Sequence, residues 1–153
     1  MIEQTLVLVK PDGVQRLLVG RILARYEDRG LKLKALKLVR IERAQAEAHY
    51  AVHRQKPFFD SLVDFIVSGP LVAAVLEGPE AIAVARMVNG ATRPEQAAPG
   101  TIRGDLALET AYNLVHASDA PETAATEIAL WFSPEELLDY GRDVDRWIVS
   151  PED

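Results

Sequence analysis

The sequence predicts an α+β fold of βαββαβ type: a four-stranded antiparallel sheet, a helical hairpin inserted after the second strand, and a long loop before the last. Three observations lead to it. Apolar or alternating runs of strand length occur near residues 5–9, 31–38, 71–76 and 113–118. Segments with helical spacing separate them. Glycine, proline or a small polar residue punctuates most of the junctions.

Taken in order, residues 5–9 are a nearly continuous apolar, β-branched run, which suits a strand buried on both faces. Lys10-Pro11-Asp12-Gly13 stops it with turn chemistry. Val19, Ile22, Leu23 and Tyr26 follow at helical spacing, with Gly30 where a C-terminal cap belongs. Leu31, Leu33 and Ala35 alternate with Lys32 and Lys34. Leu36 and Leu38 then fall on the opposite parity, which a β-bulge near Ala35 explains. Residues 43–54 read as one polar helix, and Pro57 opens another with Phe58, Leu62, Phe65 and Ile66 along one side. After Gly69-Pro70, residues 71–76 are a second buried strand. Pro79 opens a helix through Met87 that ends at Asn89-Gly90. Residues 91–111 contain Pro94, Pro99-Gly100 and Gly104 and show no sustained period; a loop of that length inside a compact domain is usually functional. Residues 113–118 form a short strand, Asp119 and Pro121 start a helix through Trp131, and Ser133-Pro134-Glu135-Glu136 is a capping box. This order is the ferredoxin-like plan. With no repeat, low-complexity tract or linker, residues 1–153 read as a single domain. The plan hosts enzymes, RNA binders and regulatory modules, so it does not choose a function.

Composition narrows the choice. A hydrophobic share of 48% with 26% charged residues belongs to a globular chain and not a disordered one. The absence of cysteine excludes disulfides, thiolate nucleophiles and cysteine-ligated metals. The net charge of −6 disfavours nucleic acid and anionic membranes as partners. No apolar stretch approaches the roughly 20 residues of a spanning helix, and Met1-Ile2-Glu3-Gln4 lacks the basic start of an export signal, so a cytoplasmic protein is expected. P-loop, GxSxG and HExxH motifs are absent.

Chemistry gathers around a few residues. His116 ends the last strand, and Ser118 and Asp119 are expected to begin a helix whose free N–H groups would favour a phosphate beside it. Glu127 in that helix is placed to orient the imidazole. Lys10 closes the first strand, Arg86 lies in the last turns of its helix, and Arg103 sits in the Gly/Pro-punctuated loop, where arginine presents a planar fork to phosphate oxygens. Thr92 adds a hydroxyl. His49 and His53, four apart, read as a solvated helix face without a third metal ligand.

These segments carry a resemblance. Asn113-Leu114-Val115-His116-Ala117-Ser118-Asp119 resembles the active-site signature of nucleoside diphosphate kinases. Similar matches are Val9-Lys10-Pro11-Asp12-Gly13-Val14-Gln15-Arg16, Pro57-Phe58-Phe59 and Pro99-Gly100-Thr101-Ile102-Arg103-Gly104-Asp105, continuing through Glu127 and Leu130-Trp131-Phe132 to Trp147. The match runs in order over essentially the whole chain. It implies that His116 is a nucleophile phosphorylated by one nucleoside triphosphate, typically ATP, which then phosphorylates a different diphosphate. By the same resemblance Lys10, Arg86, Thr92, Arg103 and Asn113 hold phosphates and sugar, Phe58 stacks on the base with Leu62 completing the slot, and Tyr50 and Glu127 support the histidine. It further implies Mg²⁺ carried by the nucleotide phosphates with no protein metal site, broad base specificity, and a homo-oligomer, a hexamer in preference to a tetramer. Two positions depart from the family pattern: Ala117 replaces the common glycine after the nucleophile, and Ala120 the common serine after the aspartate. Activity is expected to survive Ala117 if the backbone there avoids positive φ. The reading set against the enzyme is a catalytically inactive ferredoxin-like nucleotide-binding regulatory module.

Overall fold

The first apolar run extends beyond its β-branched centre: in the computed structural model, which describes residues 1–151, β1 spans Ile2–Val9. It is flanked by β3 (Leu71–Pro79) and by β4 (Val115–Ala117), and β2 (Lys32–Val39) pairs with the far side of β3. The order is β2-β3-β1-β4, with every neighbouring pair antiparallel. Alternation along β1 sends Leu6 and Leu8 to one face and Val7 and Val9 to the other, and both faces are covered. Each such side chain, once buried, contributes about 1.5–3 kcal/mol of transfer free energy. That is why a continuous apolar run, and not an alternating one, encodes this strand.

The bulge is real. Register shifts between Leu33 and Ala35, leaving Lys34 as the extra residue, buried and ion-paired to Glu77 and Asp139 at 3.9 and 3.6 Å. Leu36 and Leu38 therefore rejoin the face of Leu33, but they stand beyond the covering helices, 49% and 65% exposed.

Helices cover both faces. α2 (Val19–Asp28), α5 (Ala81–Asn89) and α6 (Ile102–Leu106) bury Ile22, Tyr26, Ala85 and Ile102 against one. α3 (Arg43–His49), α4 (Phe59–Ile66) and α7 (Pro121–Trp131) bury Ala46, Val63, Ile66 and Trp131 against the other. Gly30 ends α2 as expected: its φ is +96°, its N–H donates to the Glu27 carbonyl, and the Leu31 N–H to that of Tyr26.

Several boundaries differ from the sequence expectation. Pro11 is not in a turn but opens a short helix, α1 (Pro11–Gln15), directly after Lys10. The single helix expected over 43–54 stops at His49, and a 3-10 turn, Ala51–His53, follows. Pro57 lies outside α4, which Phe58 precedes. The buried stripe of α4 is Phe59, Val63 and Ile66, with Phe58 and Leu62 on another side. Pro79 closes β3, and α5 starts after Glu80, whose left-handed φ of +55° makes the corner. Inside the expected loop 91–111, α6 is capped by the Thr101 hydroxyl, which accepts from the Gly104 N–H. Residues 113–118 yield only the three-residue β4.

Candidate active site

The position of His116 is fixed by a short strand and a strained corner. β4 pairs with β1 so that His116 lies opposite Leu8, facing the α3, α4 and α7 layer. The chain enters β4 through Leu114, which is fully buried at φ +73°. Left-handed backbone at a leucine costs about 1–3 kcal/mol and persists only where neighbours enforce it. Here they do: the Leu114 N–H donates to Asp12 Oδ2, and its carbonyl accepts from the Lys10 N–H at 2.8 Å. The same corner turns Asn113 toward Lys10, whose Nζ donates to Asn113 Oδ1.

His116 Nε2 lies 3.0 Å from Glu127 Oε1, and the Ser118 hydroxyl donates to the same oxygen at 2.7 Å. Burial opposes ionisation of Glu127, but the hydrogen bonds and charge of His116 and the Ser118 hydroxyl outweigh it and hold the carboxyl below its ordinary range. A carboxylate only accepts, so Nε2 carries the proton and the His116 Nδ1 lone pair is free. Ser118 and Asp119 do not begin the helix, contrary to expectation. α7 starts at Pro121 behind Ala120, and Ser118 instead braces Glu127 while accepting from the Leu6 N–H. Ala117 is not among the positive-φ residues, so its methyl meets no left-handed backbone strain.

His49 was expected on a solvated face and is instead buried. Its Nδ1 accepts from the Trp131 indole N–H at 3.1 Å, and its ring stands edge-on to that of His116 with centroids 4.6 Å apart. Burial first, then the neighbouring His116, push its pKa down to about 3. Tyr50 sits one ring further out, edge-on to His49 at 4.8 Å; burial, with Glu127 and Asp12 nearby, pushes its phenol up to about 12. His53 lies on the rim, tilted against Phe58 at 5.5 Å.

The cations converge from three elements. Lys10 is buried, which lowers its pKa to about 8 with Asp12 opposing. Arg103 is buried too, its donors given to three carbonyls: Asn113 (3.1 Å), Gly90 (2.9 Å) and Val115 (2.6 Å). Burial lowers its pKa to about 10, so it stays charged at neutral pH. It thus holds the β4 entry in shape through these three bonds, which use three of its five N–H groups. Arg86 donates to the Ala117 carbonyl at 3.2 Å. The Thr92 carbonyl accepts from Asn113 Nδ2 at 2.9 Å.

His49, Tyr50, His53, His116 and Glu127 line one cleft of about 1240 Å³ together with the three cations. Each of the ten residues singled out from the sequence faces it, with Phe58 (45% exposed) and Leu62 on the wall furnished by α4. Its lining combines the cations Lys10, Arg86 and Arg103 with the aromatic side chains Phe58, Phe65 and Tyr112, a set that suits a polyphosphate joined to a flat ring. His49, His116 and Glu127 bring ligand atoms within 4.8 Å of one another. Trp131 takes up His49 Nδ1, while His116 and Ser118 share Glu127 Oε1. Two imidazoles and one carboxylate are also a poor donor set for Mg²⁺, which takes oxygen. Among the described residues no helix is long and apolar enough to cross a membrane.

Residues 3–137 match the family model described as nucleoside diphosphate kinase. The chain is 55% identical over 148 residues to a nucleoside diphosphate kinase of Thermomicrobium roseum, covering 97% of this chain and 99% of that one. It is 54% identical over 148 residues to one of Archaeoglobus fulgidus, covering 97% and 98%. Among solved structures, a nucleoside diphosphate kinase family protein from Babesia bovis superimposes with a TM-score of 0.94 at 49% identity, covering 96% of this chain and 99% of that one. The Halobacterium salinarum nucleoside diphosphate kinase in complex with CDP gives 0.94 at 48%, covering 97% and 99%.

Proposed function

This chain belongs to the nucleoside diphosphate kinase family, and we propose that His116 carries the phosphoryl group in its reaction. The protein is a phosphotransferase that moves the terminal phosphate of a nucleoside triphosphate to a nucleoside diphosphate. One observation above all supports His116 as the carrier: Glu127 engages Nε2 of a histidine that lines the cleft, which leaves Nδ1 as the ring nitrogen to act as nucleophile. In the first half-reaction the Nδ1 lone pair forms an N–P bond. The bond from the γ-phosphorus to the β–γ bridging oxygen breaks, and its electron pair leaves on the nucleoside diphosphate. In the second, the terminal oxygen of another diphosphate attacks that phosphorus and the N–P bond breaks back to Nδ1. No proton need leave Nε2 in either half, so the two halves are chemically matched and the kinetics are ping-pong.

Lys10, Arg86 and Arg103 supply the charge that phosphoryl transfer requires, since positioning and neutralisation carry most of this chemistry. Asn113 and Thr92 orient the sugar and phosphates. Phe58 grips a base by its face, with Leu62 beside it, which reads no base edge and so admits all nucleotides. Glu127 orients the nucleophile, and Tyr50 backs the ring packed against it. Lys10, Arg86 and Arg103 would hold the phosphates of a nucleotide that brings Mg²⁺ with it, and the ion would supply further neutralisation of phosphate charge.

Residues 1–153 are read as one catalytic domain of a cytoplasmic enzyme. The exposed Leu36 and Leu38 on the edge strand β2, and Trp147 at 78% exposure, support assembly into a homo-oligomer; the hexamer in preference to a tetramer rests on the family resemblance. A regulatory module without turnover is not favoured, because the histidine, the lysine and both arginines are all in place. His116→Ala is expected to abolish transfer from ATP to a second nucleoside diphosphate while leaving nucleotide binding intact; more than a trace of remaining transfer would refute the assignment.

A further inference from the structure

α7 presents Glu127 and Trp131 one helical turn apart, on the face turned toward β4 and α3. Glu127 holds His116 at Nε2. A single hydrogen bond fixes one point of an imidazole and leaves the ring free to swing about it. A second point of support comes from His49. Its ring meets that of His116 at 4.6 Å and 75°, and it cannot retreat, because Tyr50 (4.8 Å) and Trp131 (5.5 Å) pack against it edge-on.

The tautomer of His49 is also fixed. The indole N–H of Trp131 can only donate, so Nδ1 of His49 accepts and its proton resides on Nε2. With the ring 8% exposed and its pKa depressed to about 3 by burial, His49 stays neutral and places no second cation against the nucleophile. Neither phosphate binding nor acid–base chemistry claims this residue, yet it is the aromatic ring packed against His116.

We propose that His49 is a positioning residue for phosphoryl transfer: anchored by Trp131, it buttresses the His116 ring so that Nδ1, and not Nε2, meets the phosphorus. The inference rests on His116 being the nucleophile. One helix thereby sets the nucleophile from two directions, directly through Glu127 and through a relay of two rings from Trp131.

The test combines steady-state kinetics with ³¹P NMR of the phosphoenzyme, which distinguishes Nδ1- from Nε2-phosphohistidine. The wild type should carry phosphate on Nδ1 alone. His49→Ala should lower kcat by about ten- to a hundred-fold, the range expected for a reacting group misplaced by an ångström. Its KM for ATP should be little changed, and a mixture of phosphohistidine isomers should appear. His49→Phe, which restores a ring, should recover most of the rate and the single isomer. Trp131→Phe removes the indole N–H together with part of the ring packed on His49, keeps an aromatic ring there, and should give a smaller loss in the same direction. A folded His49→Ala with wild-type kcat and only Nδ1-phosphate would overturn the proposal. Should that variant not fold, wild-type kcat with only Nδ1-phosphate in a folded His49→Gln, which also removes the ring, would overturn it equally. A wild type that never labels on His116 removes the underlying reading instead, so the two failures are distinct.

Discussion

Lys10 illustrates how burial tunes a single group. It was legible from the sequence as a cation closing the first strand; its depressed pKa was not, because the desolvation comes from residues scattered along the chain. With the pKa lowered to about 8, Lys10 loses its charge in the free enzyme as pH rises past that value. Bound polyphosphate favours the cation and lifts the pKa again. So kcat/KM for ATP should fall above about pH 8, while kcat holds to higher pH. Stability moves the other way. Between about 8 and the ordinary 10.5 the unfolded chain binds the proton that the folded one releases, so this group makes folding more favourable as pH rises through that window. A pH–rate profile checks the first statement, and a kcat/KM that stays flat well above pH 8 contradicts it. His49 shows the opposite limit of legibility. Its helical spacing to His53 suggested a shared solvated face, but α3 ends at His49, and the partner that buries it lies 82 residues away.

Strands and their burial were the most legible elements, since a two-sided apolar run and a parity slip each have one simple structural cause. Prolines misled more often. Pro57 and Pro79 fix φ without saying whether the chain is leaving a strand or entering a helix, and both lie just outside the helices they seemed to open. α6 was hidden because five residues are too few to show a period. The start of α7 yields a prediction of its own. Ala120 occupies the N-cap in extended conformation and offers no side-chain acceptor to the first turn. Ala120→Ser should therefore raise stability by about 1 kcal/mol, within the range measured for restoring such caps. Denaturant unfolding measures it; an unchanged or lowered midpoint would mean that the serine hydroxyl does not reach the free N–H groups.

Across the molecule, net charge and site charge have separated. The chain carries −6 overall, yet Lys10, Arg86 and Arg103 gather in one cleft beside a single nucleophile. Three elements distant in sequence build that concentration, which bulk composition cannot reveal. Motif residues revealed it: Lys10 follows the end of β1, Arg86 lies in α5 and Arg103 in the first turn of α6, and all three line the cleft. The supports beneath them, namely the Leu114 corner, the three carbonyls on Arg103 and the Trp131–His49 pair, are long-range and have no local pattern. What remains is to catch the phosphate on its carrier. Brief incubation with γ-labelled ATP, followed by a chase with an unlabelled nucleoside diphosphate of another base, should give a protein-bound label that is acid-labile, stable to base, confined to His116 and transferred completely to the diphosphate. Catalytic turnover with no such labelled intermediate, or with label on any residue other than His116, would contradict the mechanism.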